Sequence, residues 1–129
     1  MKKKYLIIIA NYYEDIAKGL LDSALKLIPK SNFIKIIKVP GVFEIPVTIS
    51  KNIKKYDAFL ALGCVIKGET PHFDFISQAS TNAIMDLSIN NNKPIGNGII
   101  TCLNMRQAKA RKKKGAEAAK AVISVLSQK

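Results

Sequence analysis

After Asp57 the chain runs through Ala-Phe-Leu-Ala-Leu-Gly-Cys-Val-Ile66 without a charged or amide side chain. A strand with one face in water alternates, so a strand this uniformly apolar must be covered on both faces. Tyr5 to Ala10 reads the same way, and Phe33–Val39 and Pro94–Cys102 supply two further strands. Between them the apolar spacing turns helical. Ile16, Leu20, Leu21, Ala24, Leu25 and Ile28 share one face of a helix over Glu14–Ile28, which Pro29 stops. A short helix over Phe43–Ile53 is entered through Pro40-Gly41, and a long one over Phe73–Ile89 closes at Asn90-Asn91-Asn92. From Asn104 the chain is helical to its end, interrupted near Gly115. The alternation predicts the α/β class: a three-layer α/β/α sandwich whose four-stranded parallel sheet is flanked by helices.

A length of 129 residues, 48% of them hydrophobic, suits a single domain over 1–129 with a real core. No apolar run is long enough to span a bilayer. Met1–Lys4 is basic and the next residues are apolar, but Tyr5–Ala10 is too short for a signal segment and has no cleavage site after it. It reads as a first strand, and the protein as cytoplasmic with no membrane partner. Cys64 and Cys102 fit no zinc spacing, so they read as free buried thiols and no metal site is expected.

The formal charge of +12 raises the question of nucleic acid. Nineteen lysines stand against two arginines, beside nineteen isoleucines, a usage typical of an AT-rich genome. The lysines are scattered except at Lys112-Lys113-Lys114, and no aromatic residues interleave with that run to stack on bases. No nucleic-acid partner is expected. Arg106 and Arg111 then draw interest, as positions where lysine would not serve.

Open parallel sheets bind ligands outside the carboxyl ends of their strands. Four segments converge there: Asn11-Tyr12-Tyr13, Pro40-Gly41-Val42-Phe43-Glu44, Lys67 to His72, and Thr101 to Asn104 with Arg111 two turns on. The third carries the most chemistry. Thr70 is a good N-cap and Pro71 suits the first helical position, so His72, the single histidine, falls in the first turn of the long helix. Backbone N–H groups from Gly68 to Thr70 lie at the positive end of the helix dipole, where an anion such as phosphate is favoured. A helix N-terminus disfavours a cationic imidazole, which suits His72 to act as a base. Gly96-Asn97-Gly98 lacks the third glycine and following helix of a dinucleotide site, and Gly63–Gly68 lacks the Gly-Lys-Ser/Thr of a phosphate loop.

Val39-Pro-Gly-Val-Phe-Glu-Ile-Pro46 and Leu62-Gly-Cys-Val-Ile-Lys-Gly-Glu-Thr-Pro-His-Phe-Asp-Phe75 resemble two signature segments of the 6,7-dimethyl-8-ribityllumazine synthase family. Pro94–Thr101, Gln107-Ala108 and Lys114-Gly-Ala-Glu-Ala-Ala119 are similar to its third, and Asn11-Tyr-Tyr-Glu-Asp-Ile16 to its segment after the first strand. The resemblance runs from about Lys4 to Gln128, with the motifs in the same order. It implies a flavodoxin-like strand topology and a transferase of riboflavin biosynthesis. That enzyme condenses 5-amino-6-ribitylamino-pyrimidinedione with 3,4-dihydroxy-2-butanone 4-phosphate, releases phosphate and water, and uses no cofactor. A lumazine- or flavin-binding relative without turnover is the alternative. A flavodoxin-like electron carrier would need a Ser/Thr-rich loop after the first strand, which Asn11-Tyr12-Tyr13-Glu14 is not.

The resemblance also assigns residues. His72 matches the family's proton-transfer histidine. Tyr12 matches the aromatic that stacks on the pyrimidine. Val42, Phe43 and Glu44 match the segment holding the ribityl chain, and Cys64, Val65 and Ile66 the strand end beneath the ring. Glu69, Thr70 and Arg111 match the phosphate-binding positions, with Lys114 and Glu117 in support. Asn97 stands where many members place an aromatic contributed by a neighbouring subunit, and is a substrate contact on that ground. Family active sites lie between the subunits of a pentamer, and some members assemble pentamers into sixty-subunit shells. Shell-formers carry an N-terminal extension and a longer turn between the last two helices. The early first strand and short Arg111–Lys114 connection here imply a homo-oligomer, as a pentamer rather than a shell.

Overall fold

The computed structural model describes residues 2–128. Four strands, β1 (Lys4–Ala10), β2 (Phe33–Val39), β3 (Ala58–Ile66) and β4 (Ile95–Cys102), form one sheet in the order β2-β1-β3-β4. All three strand pairings are parallel. The expected three-layer sandwich is therefore present, with the 2-1-3-4 order of flavodoxin-like sheets. β1 and β3 are the inner strands and the most apolar: β1 is buried from Tyr5 to Ala10, and β3 from Ala58 to Cys64.

The two faces of the sheet hold two cores. Tyr5, Ile7 and Ile9 of β1 and Leu60, Leu62 and Cys64 of β3 point to a layer made by α1 (Glu14–Leu25) and α5 (Lys114–Leu126). Leu6, Ile8, Phe59 and Ala61 point the other way, to α2 (Ile45–Asn52) and α3 (His72–Asn91). This is the period-two consequence of the pleat acting on strands that are apolar on both faces.

Strand ends agree with expectation to within a residue, whereas helix boundaries differ in four places. α1 ends at Leu25 rather than Ile28, the chain turning through Lys26–Ile28 before Pro29. The short second helix begins as a single 3-10 turn over Val42–Glu44 and becomes α-helical only at Ile45, where Pro46 needs no N–H partner. α3 starts at His72 and runs to Asn91, ended by Asn92 in the left-handed conformation. The break in the C-terminal helix, expected near Gly115, falls at Arg111–Lys113, between α4 (Met105–Ala110) and α5, so Gly115 itself does not interrupt the helix. Gly115 instead lies buried in the first turn of α5, where a Cβ would collide with the Leu20 carbonyl of α1. The glycine permits two helices to touch. Gly96 has a similar role in β4, since a Cβ there would come 2.5 Å from the Ala118 carbonyl of α5.

Candidate active site

Strand order reverses between β1 and β3, and there the loops leaving the carboxyl ends diverge and open a crevice. A cavity of about 690 Å³ occupies it. That is ample for a small heterocyclic ligand, for which pockets of roughly 300–1,000 Å³ are usual. β1 delivers Tyr12 and Tyr13, β2 and its following turn deliver Gly41, Val42, Phe43 and Glu44, and β3 delivers Cys64, Val65 and Ile66. His72 and Ile76, one turn apart on α3, close the remaining side.

Each position has a local cause. Tyr12 is largely exposed and its ring meets Tyr13 edge to face, centroids 4.9 Å apart at 86°. Tyr13 also packs against the core on the α1/α5 side, so the outer ring is braced by an inner one. Phe43 is 62% exposed at the other lip, on the 3-10 turn whose Val42 is buried. Two aromatic rings thus stand in solvent on either side of an apolar floor, a costly arrangement for a lone chain and a useful one for gripping a planar ring.

The floor is chemically quiet. Burial pushes the Cys64 thiol up to about 12, and neighbouring Cys102 on β4 adds to the effect. It stays protonated at neutral pH and serves as wall, not nucleophile. Burial, followed by Tyr12 and Cys64, also raises the Tyr13 phenol, which remains a hydroxyl donor. Both cysteines are free and buried, as their spacing indicated.

At the entrance to α3 the first helical bond runs from the Phe75 N–H to the Pro71 carbonyl, so Pro71 itself is the N-cap and Thr70 lies one residue outside. The Thr70 hydroxyl nevertheless accepts from the His72 N–H at 3.4 Å. Glu69 and Thr70 are exposed in the loop leading to His72 and do not line the cavity.

The remaining assigned residues sit elsewhere. Asn97 is on the edge strand β4, exposed, and its side-chain oxygen accepts from the Ile99 N–H at 3.0 Å. Arg111 caps the end of α4 and donates from Nη1 to the Thr101 carbonyl at 3.4 Å, beside the carboxyl end of β4. Lys114 and Glu117 pair with each other at 3.4 Å on the surface of α5. None of these four lines the cavity that holds His72. Of the residues that do, Tyr13, Gly41 and Ile76 carry no role in the sequence reading. Ile76 was recoverable as the residue four beyond His72 on one helix face, and Tyr13 as the support a solvent-exposed Tyr12 needs. Among the described residues, no three His, Cys, Asp or Glu side chains are gathered to hold a metal ion.

A parallel α/β sandwich with a cavity at its switch point, aromatic lips and an imidazole on the rim belongs to the class of open-sheet proteins that bind small molecules at the carboxyl ends of their strands. The sequence matches the family model described as 6,7-dimethyl-8-ribityllumazine synthase over residues 2–129, and the chain belongs to that family. It is 41% identical over 143 residues to a 6,7-dimethyl-8-ribityllumazine synthase of Agrobacterium fabrum, covering 100% of this chain and 97% of the relative. Proteins of the same name from Methylorubrum populi and Bartonella henselae are each 42% identical, covering 98% and 99% of this chain and 82% and 89% of their own lengths. These matches bear out the resemblance carried by the motifs, and with it the enzyme class: a lumazine-forming transferase of riboflavin biosynthesis.

Proposed function

We propose that the switch-point cavity holds the ribitylamino-pyrimidinedione while it condenses with the butanone phosphate, in the cytoplasm, the whole chain acting as one domain. The pyrimidine lies against Tyr12 with Val65 and Ile66 beneath it, and the ribityl hydroxyls reach Glu44 beside Val42 and Phe43. The 5-amino nitrogen attacks the substrate carbonyl, and water leaves as the imine forms. Phosphate is then eliminated, and the second amine closes the ring with a further loss of water. His72, on the rim, moves the protons that these steps require. Glu69, Thr70 and Arg111 receive phosphate, Arg111 through its planar fork. Lys114 and Glu117 support that end of the site.

The observation that carries the reading is the convergence of three motif segments, far apart in sequence, on one cavity rimmed by His72. The separation of Arg111 and Asn97 from that cavity supports a site completed by a second copy of the chain. So does α3, where Phe75, Met85 and Ile89 stand more than half exposed. A homo-oligomer buries these surfaces, and the short turn at Arg111–Lys113 favours a pentamer over a shell. Turnover of the two substrates, followed by lumazine absorbance, tests the reaction. Arg111→Ala is expected to raise the requirement for the phosphate substrate. An assembled protein without product would leave binding alone. Light scattering at a mass near sixty subunits would refute the pentamer.

A further inference from the structure

The turn that carries Arg111 is held from outside by α1. Helix α5 begins at Lys114, Lys113 before it offers no side-chain cap, and the Ala116 N–H of the first turn has only a local backbone acceptor, the Lys113 carbonyl at 3.0 Å. Ser23, near the end of α1, supplies the side-chain cap. Its hydroxyl oxygen accepts from the Ala116 N–H at 3.1 Å, the third helical residue, which is the donor an ordinary N-cap side chain would take. The same hydroxyl reaches the Lys112 carbonyl at 3.1 Å and the Leu20 carbonyl at 3.0 Å, its one proton serving these two acceptors. The close approach allowed by Gly115 brings Ser23 within reach, and the stem of Lys112 lies over Gly19. Arg111 is the residue before Lys112, and its own carbonyl accepts from the Lys114 N–H at 3.0 Å. The three-residue turn from Arg111 to Lys113 is thus anchored at its centre and at its exit.

We propose that Ser23 is a positioning residue for phosphate: by capping α5 from α1, it holds Arg111 where the substrate phosphate arrives. The inference rests on the assignment of Arg111 to phosphate. It predicts a defect confined to one substrate, because Ser23 lies outside the cavity that takes the pyrimidine. The experiment measures KM for each substrate and the inhibition constant of inorganic phosphate in the assembled enzyme. Wild type is compared with Ser23→Ala, Arg111→Ala and the double variant. Ser23→Cys is included because it keeps the shape while weakening the hydrogen bonds, should the alanine variant fold poorly. Ser23→Ala is expected to raise the phosphate-substrate KM and the phosphate inhibition constant about fivefold, the effect of losing one cap, with the pyrimidine KM nearly unchanged. Ser23→Cys should fall between, and the double variant should be no worse than Arg111→Ala. Equal increases in both KM values, or effects of the two substitutions that multiply, would overturn the inference. A phosphate defect in Arg111→Ala with none in either Ser23 variant sinks the inference alone. No phosphate defect in Arg111→Ala sinks the assignment and the inference together.

Discussion

The two sides of the sheet are finished to different degrees. On one side α1 buries Ile16, Ala17, Leu20 and Ala24, and α5 buries Gly115, Ala118, Ala119 and Val122, the two helices meeting where Gly115 faces Leu20. On the other side α3 has 20 residues and buries only Ser80 and Ile84. The first layer is closed within one chain. The second is left open, with Phe75, Met85 and Ile89 in solvent and half-buried Ile95 and Ile99 of β4 beside it. Small residues and tight contact mark a permanent intramolecular joint, whereas large exposed apolar residues mark a surface that still needs a partner.

Substituting the closed joint should do the most harm. Gly115→Val forces a side chain into the Leu20 carbonyl, and neither helix can retreat without opening the core. The expected outcome is no folded protein, read by circular dichroism and loss of soluble yield. A folded, cooperative Gly115→Val would show that the α1–α5 contact is looser than its geometry.

The open layer should respond in assembly and not in folding. Met85→Asp with Ile89→Asp is expected to leave a folded chain that sediments as a monomer and loses most of its turnover, because half of each proposed site comes from a neighbour. An active monomer would refute the shared site. On stability, Leu20→Ala should cost about 3 kcal/mol in denaturant unfolding through the cavity it leaves. Phe75→Ala in the same assay on monomeric protein should be close to neutral, since its ring is 67% exposed. Equal losses would erase the contrast between the layers.

Smaller effects sharpen it. The Ser80 hydroxyl, on the buried face of α3, has no hydrogen-bond partner among the described residues, so Ser80→Ala should stabilise the chain by about 1 kcal/mol. A loss instead would reveal a partner supplied within the assembly. In the closed layer the Cys64 thiol is held up at about 12 against an ordinary 9.0. The folded form therefore keeps its proton where the unfolded form has lost it, and this contribution to stability is full below pH 9 and declines as pH rises toward 12. Native protein should resist iodoacetamide at pH 8 and react only after denaturation; rapid native alkylation would mean an open wall at the cavity.

Much of this molecule was legible from residues alone. Uniformly apolar β1 and β3 announced strands of a parallel sheet covered by helices, because only burial on both faces tolerates such a pattern. Parallel strands in turn sent Tyr12, Glu44, Ile66 and His72 to one edge, and their motifs named the family. Helix ends were less legible: Thr70 had the better capping chemistry, yet the first helical bond reached Pro71. Such ends turn on single hydrogen bonds that local sequence leaves nearly balanced.

Sequence by itself determined the strand pattern, the converging edge and the chemistry of each side chain there, since these follow from polarity, periodicity and residue type. Tertiary structure alone decided that Arg111 and Asn97 lie apart from the His72 cavity, that Gly115 is a contact between helices, and that Ser23 caps α5 and reaches Lys112, 89 residues along the chain. It also sorted the charge. Six of the nineteen lysines, Lys3, Lys4, Lys30, Lys54, Lys55 and Lys93, stand at or just before strand starts, while Glu14, Asp15, Asp74 and Glu117 occupy first turns of helices. The reason is common to all four. Distance in space, helix-end fields and steric approach depend on how elements stack, and no local window of sequence contains the partner.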